Sequence, residues 1–232
     1  MSTVRGARER ARIEVTAAIK DEARRRLAAE GAAKLSLRAV ARELGMVSSA
    51  LYRYFPSRDE LLTALIIDAY DSLGSAAETA DAASVTAGAP PRARWSEVCA
   101  AIRVWALAHP HEYALVYGSP VPGYSAPADT IGPASRAANV LIGIARSAHR
   151  GRGLALPPLP VALRPEAERM ARDFAEGLPP EVVAALVAAW AQLVGLVSCE
   201  LFGQFERVVE ERDAFFGHAV AQLAHTVGLR PV

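Results

Sequence analysis

Hydrophobic residues recur at four-residue steps early in the chain, which is the spacing that places side chains on one face of a helix. The residues at these steps are Val15, Ile19, Ala23 and Leu27. Alanine, arginine and glutamate, which favour helix formation, fill most of the positions between them. The pattern predicts a first helix from Arg8 to Glu30, followed by Gly31 at the position where glycine commonly ends a helix.

Two shorter helices are predicted next, with a tight turn between them. Ser36 can cap the first, and Gly45 can close it because glycine adopts the left-handed conformation at little cost. The apolar residues of this helix that would point inward are Leu37, Val40, Ala41 and Leu44. Ser48 is the expected cap of the next helix, which Pro56 ends because the residue before a proline is pushed out of the helical region.

A fourth helix is predicted to begin at a capping box, in which Ser57 and Glu60 satisfy free backbone N–H groups. Its inward residues would be Leu61, Leu62, Leu65, Ile66, Ala69 and Leu73. Three helices in residues 1–56, the second and third joined by a tight turn, match the helix-turn-helix arrangement. At this point the alternative is a small helical bundle with no binding role.

The third predicted helix has two unlike sides. Leu51 and Phe55 lie on one side when the residues are projected at helical spacing. The other side presents small, basic and tyrosine side chains, namely Ser49, Ala50, Tyr52, Arg53 and Tyr54. Small residues allow close approach to a DNA groove, guanidinium groups pair with guanine, and tyrosine hydroxyls reach phosphates. We therefore expect this side to lie in a major groove.

Charge is distributed unevenly although the whole chain is nearly neutral. The net charge of +1 argues against a strong overall attraction to nucleic acids or membrane surfaces. Residues 1–60 carry 13 Lys and Arg against 8 Asp and Glu, a net charge of +5, whereas residues 61–232 carry 13 against 17, a net charge of −4. This asymmetry is typical of a protein that meets phosphates with its first segment alone, although chance also produces differences of this size.

The remainder of the chain also predicts helices, separated by segments rich in glycine and proline. The predicted helical segments are 95–109, which Pro110 ends, then 112–117, 139–149, 180–205 and 213–227. The segment from Gly118 to Pro133 has too many glycines and prolines for a regular element, so it is predicted to be a surface loop.

The predicted helix from Val182 to Phe205 is apolar on two strips, whereas packing inside one domain requires a single strip. A second copy of the chain would cover the other strip, which predicts a homodimer through the last two helices. The last helix contributes Phe215, Phe216, Val220, Leu223 and Val227. A monomer with this helix at its centre is the alternative. The apolar stretch is marginal against the roughly 20 residues that a bilayer requires, so no membrane interaction is expected.

The segment LSLRAVARELGMVSSALYRYFPSRDELL, from Leu35 to Leu62, resembles the DNA-binding segment of TetR-family transcriptional repressors. The resemblance lies in the spacing of Arg38, Ala41 and Gly45, in the Leu-Tyr-x-x-Phe run that ends at Phe55, and in the capping sequence that follows. All of these features fall in one ungapped block.

The resemblance implies an all-α homodimer with two domains. A three-helix helix-turn-helix domain would span residues 1–56, and a larger helical ligand-binding and dimerisation domain would span residues 57–232. The third helices would enter successive major grooves of a palindromic operator in double-stranded DNA. The residues implied to contact DNA are Leu37, Arg38, Ser48, Ser49, Ala50, Tyr52, Arg53, Tyr54 and Arg58.

Arginines are the side chains from which base and phosphate contacts are expected. Arg53 is expected to contact a base, because guanidinium to guanine is the commonest specific pairing, with a phosphate contact as the alternative. For Arg58, the alternative to a DNA contact is a solvated charge at the start of a helix. Four earlier arginines are candidates for a flexible arm that follows a minor groove or for a solvated segment. These are Arg5, Arg8, Arg10 and Arg12.

Two C-terminal segments, 109–127 and 189–205, resemble a TetR-family subgroup whose C-terminal domain carries a Trp-His-Gly signature. Trp190 and Gly195 match this signature, but Val194 occupies the histidine position, so any role of that histidine is lost or moved here. Aromatic residues are candidates for lining an apolar cavity for a largely apolar small molecule, with core packing as the alternative. These candidates are Trp105, Tyr113, Tyr117, Trp190 and Phe202.

These observations favour a sequence-specific DNA-binding regulator, namely a repressor that an unknown small-molecule effector releases from its operator. The alternatives are a helical carrier or enzyme without operator binding, and a DNA-binding regulator that needs no effector. The chain has no phosphate-binding loop, serine-hydrolase elbow or zinc-protease motif, so neither catalysis nor a cofactor is expected. His109, His111 and Glu112 are too few to predict a metal site. Two cysteines and an N-terminus without an apolar signal segment predict a cytoplasmic location.

Overall fold

The computed structural model of the chain describes residues 2–151 and 153–230. Its regular elements in these ranges are helices, as the sequence predicts, and one isolated antiparallel bridge pairs Leu154 with Leu229. The α-helices are α1 (Ser2–Glu30), α2 (Leu37–Glu43), α3 (Ser48–Leu51), α4 (Arg58–Thr86), α5 (Pro91–Ala108), α6 (Pro110–Tyr117), α7 (Ile131–Arg150), α8 (Arg164–Phe174), α9 (Pro180–Leu201) and α10 (Arg212–Val227). Short 3₁₀ helices span Ala32–Lys34, Ala128–Thr130 and Val161–Leu163.

The chain forms two compact units. The first unit contains the residues up to Tyr70 together with His109–Ile131, and the second contains Asp71–Ala108 together with the residues from Gly132 onward. The first unit therefore includes α1 to α3, the beginning of α4, and α6. The functional boundary between residues 56 and 57 stays a prediction.

The core of the first unit consists mainly of the apolar positions predicted from helical spacing. Its buried members are Ile19, Ala23, Leu27, Leu35, Leu37, Val40, Ala41, Leu51, Phe55, Leu61, Leu62 and Leu65. Each fully buried leucine or isoleucine side chain stabilises the fold by roughly 1.5–3 kcal/mol relative to an exposed one. At the start of α4 the backbone N–H of Glu60 donates to Ser57 Oγ at 3.1 Å, which is the predicted capping bond.

Helix α1 begins at Ser2, earlier than the predicted Arg8. Arg8, Arg10 and Arg12 lie inside this helix, so the prediction of a flexible arm is wrong for them. Arg5 lies in the same helix, but its side chain is outside the described structure. Arginine, alanine and glutamate dominate this stretch, and all three favour helix formation.

Helix α3 is a single turn whose N-cap is Val47, not the predicted Ser48. Val47 has an extended backbone, and its carbonyl accepts from the N–H of Ala50 at 2.9 Å. After α3 the chain continues in turns, in which the N–H groups of Tyr54 and Phe55 donate to the carbonyl of Leu51 at 2.8 and 3.1 Å. These hydrogen bonds fix the direction of the side that carries Arg53 relative to the side that carries Leu51.

Several elements of the larger C-terminal part depart from prediction because of where prolines sit. Pro110 begins α6, since proline suits the first turn of a helix. The predicted loop 118–133 ends earlier, because α7 begins at Ile131 and accommodates Pro133 in its first turn. Helix α8 was not predicted, although Ala167, Met170, Ala171 and Phe174 follow helical spacing, and Ala167 is its one buried residue.

Helix α9 is long and apolar enough to cross a membrane by length and composition alone. In the second unit it packs against α5, α8 and α10. Its buried residues are Val182, Val183, Leu186, Ala189, Leu193, Val197 and Glu200. We interpret α9 as a core helix of the second unit.

A charged contact in the second unit joins α5, α9 and α10. The Arg103 guanidinium donates to both carboxylate oxygens of Glu200 at 2.6 and 2.7 Å, and it lies 2.8 Å from Asp213 Oδ1. It also lies 5.0 Å from the centre of the Phe216 ring, within range of a cation–π interaction. One arginine therefore connects three helices.

Candidate nucleic-acid interface

Helix α3 is anchored by Leu51 and Phe55, which are buried in the core of the first unit. The turn before it requires Gly45, whose φ of 64° is a conformation that other residues rarely adopt. In the same turn the N–H of Met46 donates to the carbonyl of Ala41 at 2.9 Å. These contacts direct the opposite side of α3 away from the core, as the sequence predicts.

This outward side carries six of the predicted DNA-contacting residues on one short segment. The exposed members are Ser49, Tyr52 and Arg53, and the half-buried members are Ser48, Ala50 and Tyr54. Tyr54 packs against the core of the first unit, whereas the Arg53 side chain faces solvent. A surface of small, hydroxyl-bearing and basic side chains can approach DNA closely and form hydrogen bonds to base edges and phosphates.

The two predicted residues at the start of α2 have different surroundings. The side chain of Leu37 is buried in the core, so at this position the backbone is what remains available to DNA. Arg38 is exposed beside it. Arg38 makes no ion pair with any residue that the structure describes, so the first turn of α2 carries an unpaired cation.

The guanidinium of Arg58 is occupied within the protein. Its Nη2 donates to the carbonyls of Ala32 and Ala33 at 2.9 and 3.3 Å, and its Nε donates to the carbonyl of Leu35 at 3.2 Å. These bonds attach the start of α4 to the connection between α1 and α2. These bonds could not be predicted from the sequence, because a backbone carbonyl distant in the chain leaves no sequence signal.

The arginines of the first unit fall into two groups. Those in the second half of α1 pair with carboxylates: Arg24 with Asp21 and Asp68, Arg25 with Glu22, and Arg26 with Glu22 and Glu30. Within the described residues, others have no ion pair, among them Arg8, Arg12, Arg38, Arg42 and Arg53. The uncompensated positive charge is therefore concentrated on the beginning of α1, on α2 and beside α3.

Arg42 was missed by the sequence analysis as a candidate for DNA contact. It is exposed on α2, the helix that also carries Arg38. Nothing in the sequence separates such residues from paired arginines, because pairs such as Arg24 with Asp68 form between residues far apart in the chain.

The predicted ligand-contacting residues lie in different units. Tyr113 and Tyr117 belong to the first, where their rings lie 5.0 Å apart and Tyr117 makes an edge contact with Tyr70 at 6.0 Å. Burial, with smaller contributions from the neighbouring tyrosines, raises the pKa of Tyr117 above its ordinary value. Its hydroxyl, like that of an ordinary tyrosine, is neutral at physiological pH and can donate a hydrogen bond.

Trp105, Trp190 and Phe202 belong to the second unit. Trp105 is buried, and its Nε1 donates to Ser72 Oγ at 2.9 Å. Trp190 is half-buried on α9, and Phe202, just beyond the end of α9, is exposed. Val194, at the predicted histidine position, is half-buried on the same helix.

Metal-binding residue types do not gather in the described part of the chain, where no three His, Cys, Asp or Glu side chains are close enough to hold an ion. Glu112, considered with His109 and His111 in the sequence, lies 3.8 Å from Arg24 Nε. Cys99 and Cys199 are not joined in a disulfide. Burial raises the pKa of the Cys99 thiol, which makes this sulfur a poor nucleophile.

Two family models match the chain. The model of bacterial regulatory proteins of the tetR family matches residues 19–65, which contain α2 and α3. The model of the tetracyclin repressor-like C-terminal domain matches residues 95–223, more than half of the chain. The HTH-type transcriptional regulator Rv1816 of Mycobacterium tuberculosis is 42% identical over 210 residues, covering 86% of this chain and 86% of that protein.

Solved structures agree with these matches. The regulatory protein SCO4313 superimposes with a TM-score of 0.78 at 34% identity, over 94% of this chain and 98% of that chain. A TetR variant of Acinetobacter baumannii, solved in complex with minocycline, shares the fold, with a TM-score of 0.50 at 18% identity over 89% of this chain and 92% of that chain.

Proposed function

The chain belongs to the TetR family of transcriptional regulators, and from this premise we propose that it is a repressor that an effector releases from a palindromic operator. The observation that carries the proposal is the outward side of α3, which is fixed by Leu51 and Phe55 and bordered by arginines that make no ion pair in the described part of the chain. Family membership and the names of the relatives indicate a regulator and not an enzyme. We propose that it acts in the cytoplasm.

The proposed interface divides into base contacts and backbone contacts. Arg53, exposed beside α3, contacts a guanine edge, since this is the commonest specific pairing of arginine. The small residues Ser49 and Ala50 allow close approach to the groove. Tyr52 and Arg38 contact phosphates, which position the protein without reading sequence.

We propose that the operator is bound by a homodimer through α9 and α10, because TetR-family regulators dimerise in general. The exposed positions of α9 include Val187, Ala188 and Ala191, which are apolar and mostly small. Small residues let two helices approach closely. A two-fold dimer places two copies of α3 about 34–36 Å apart, one turn of DNA, so that each occupies one half-site.

The proposed effector is a largely apolar small molecule, with the five predicted aromatic residues as candidate contacts. The proposal of an effector rests on the general behaviour of the family and on the aromatic residues at these positions. The A. baumannii protein, which has the same fold, holds a small molecule in its structure. If the effector favours a conformation whose α3 spacing no longer matches the half-sites, operator and effector must weaken each other's binding by the same factor.

Recovery and sequencing of DNA fragments bound by the purified protein tests the function. The expected result is an enriched motif with two-fold symmetry. Affinity for a duplex carrying this motif should fall steeply as salt rises from about 0.05 to 0.2 M, since each neutralised phosphate contributes about 0.9 to the logarithmic slope. Fragments without a common motif, or a slope near zero, would contradict the proposal.

The alternative of an effector-independent regulator is tested by screening small apolar molecules against the protein with operator bound. A compound that raises the protein's thermal stability should release the operator, and operator should weaken compound binding equally. A compound that binds without changing operator affinity would favour regulation independent of an effector.

A further inference from the structure

A cleft in the first unit is bordered by the beginning of α1 on one side and by α3 with its flanking turns on the other. It has a volume of about 470 Å³. Its lining residues are Arg8, Ala11, Arg12 and Val15 from α1, and Met46, Ala50, Arg53 and Tyr54 from the α3 side. The sequence alone does not indicate this cleft, because its α1 residues and its α3 residues are more than 30 positions apart in the chain.

The charge of this cleft is positive and uncompensated. Three of its eight lining residues are arginines, and no carboxylate lines it. Arg8, Arg12 and Arg53 make no ion pair within residues 2–151 and 153–230. Three unpaired guanidinium groups around one opening repel each other, and an anion placed between them removes that repulsion.

The position of the cleft beside α3 indicates which kind of anion it binds. Ala50 and Arg53 belong both to the cleft and to the segment proposed to enter the major groove. A DNA strand bordering that groove brings phosphates to the same surface, and guanidinium groups bind phosphate oxygens in a bidentate manner. The remaining lining is apolar apart from Tyr54, which suits the sugar carbons between phosphates.

We propose that this cleft binds the DNA backbone, with Arg8 and Arg12 contacting a phosphate adjacent to the base pair that Arg53 reads. The inference rests on the proposed function and adds α1 to the surface that contacts DNA. Arg8 and Arg12 are four positions apart, so they lie on the same face of α1. They supply affinity without sequence preference, whereas Arg53 supplies the preference.

Arg10 provides a matched control on the same helix. It lies two positions from Arg8 and two from Arg12, on the opposite face of α1. Its Nε donates to the carbonyl of Gly6 at 3.3 Å, and it does not line the cleft. Replacing arginine by glutamine removes the charge at nearly unchanged helix propensity, so the comparison isolates the position of the charge.

The test measures binding of wild type, the double variant Arg8→Gln/Arg12→Gln and the control Arg10→Gln to two fluorescent duplexes of roughly 30 base pairs, long enough for two half-sites. One duplex carries the motif recovered by sequencing, and the other has a shuffled sequence. Salt is varied at constant pH. Thermal unfolding of each variant, expected at the wild-type temperature because the replaced side chains are exposed, establishes that the fold is intact.

The double variant should lose affinity for both duplexes by the same factor, about tenfold or more, and its salt slope should be smaller by about 2. Arg10→Gln should behave like wild type. Equal binding by the double variant and the control would overturn the proposed cleft while leaving the proposed function intact. Loss confined to the motif duplex would also overturn it, because Arg8 and Arg12 would then read bases.

Free inorganic phosphate is the alternative to the DNA backbone as the anion bound in this cleft. Wild type titrated with inorganic phosphate in the absence of DNA should show no saturable stabilisation at millimolar concentration. Saturable stabilisation that the double variant lacks, together with unchanged DNA binding, would overturn the assignment to the DNA backbone. Absence of duplex binding by wild type itself would instead overturn the proposed function, and the cleft assignment with it.

Discussion

Arg53 and Arg58 are five positions apart, and the structure gives their guanidinium groups opposite surroundings. Arg53 is exposed and has no ion pair in the described chain, whereas Arg58 donates three hydrogen bonds to carbonyls of the α1–α2 connection. In the sequence alone, both residues are candidates for DNA contact. At the scale of the residue, the structure favours Arg53 as the group left free for a ligand and Arg58 as a group that holds the domain together.

Replacing Arg53 with alanine should relax sequence preference. The ratio of affinities for motif and shuffled duplexes should fall by at least about fivefold, because each good bidentate base contact provides roughly 1–3 kcal/mol of discrimination and the dimer loses one contact in each half-site. Competition titrations measure this ratio. Arg172→Ala, which removes an exposed arginine on α8, is the control and should leave the ratio unchanged. An unchanged ratio for Arg53→Ala would remove its proposed role.

Replacing Arg58 with glutamine should lower the free energy of unfolding by about 2 kcal/mol, since hydrogen bonds from a charged donor are among the stronger ones. Chemical denaturation measures this change. Arg42→Gln, on the exposed surface of α2, should change the free energy of unfolding by less than about 0.5 kcal/mol. If Arg58→Gln keeps full stability and instead weakens DNA binding, Arg58 is a DNA contact, as the sequence predicted.

At the scale of the element, helices with apolar periodicity and recognisable ends could be predicted from the sequence. The spacing from Val15 to Leu27 and the capping bond at Ser57 are examples, and both are present in the structure. Helix α8 was overlooked after the glycine- and proline-rich segment 151–160, although Ala167, Met170 and Phe174 follow helical spacing and could have identified it. The start of α7 was missed because glycine and proline residues that usually mark a loop also fit a first helical turn.

The same limit applies to the candidate interface. Leu51 and Phe55 identified the buried side of α3, so its outward side could be predicted from two residues. The cleft between α1 and α3 could not, because it depends on the packing of residues that are distant in the chain. Likewise, the division between paired and unpaired arginines follows from partners such as Asp68, which lies 44 positions from Arg24.

The connection among α5, α9 and α10 depends more on Glu200 than on Asp213, although both contact Arg103. The Glu200 side chain is 6% exposed and that of Asp213 is 94% exposed. Glu200→Gln should lower the free energy of unfolding by about 3 kcal/mol, because it leaves a guanidinium poorly paired in a buried site. Asp213→Asn should cost less than about 1 kcal/mol, as exposed pairs do. Equal effects in denaturation would contradict this assignment.

The proposed dimer surface on α9 is tested by replacing Ala191 with arginine. Ala191 is exposed, and both residues favour helix, so the second unit should remain folded. A bulky charge on the proposed surface should convert the dimer to a monomer in sedimentation or light-scattering measurements. Ala82→Arg, at an exposed position of α4, should remain dimeric. If both variants keep the wild-type mass, α9 does not form the interface at this position.

At the scale of the whole molecule, the proposed dimer places two copies of α3 on one face of a duplex. Each copy would supply one anchored segment to one of two half-sites that lie one helical turn apart. Inserting about five base pairs between half-sites rotates one of them to the opposite face of the DNA while leaving every base contact available. The account therefore makes spacing, and not only sequence, a determinant of affinity.

The measurement that tests this claim most directly compares the affinity of wild type for the recovered operator with its affinity for the same operator carrying that insertion. The account predicts a loss of about 100-fold or more, because only one half-site can then be occupied in the specific mode. An operator with the original spacing and about five base pairs added at one end serves as the control for length. Equal affinity for the original and half-turn operators would contradict the account.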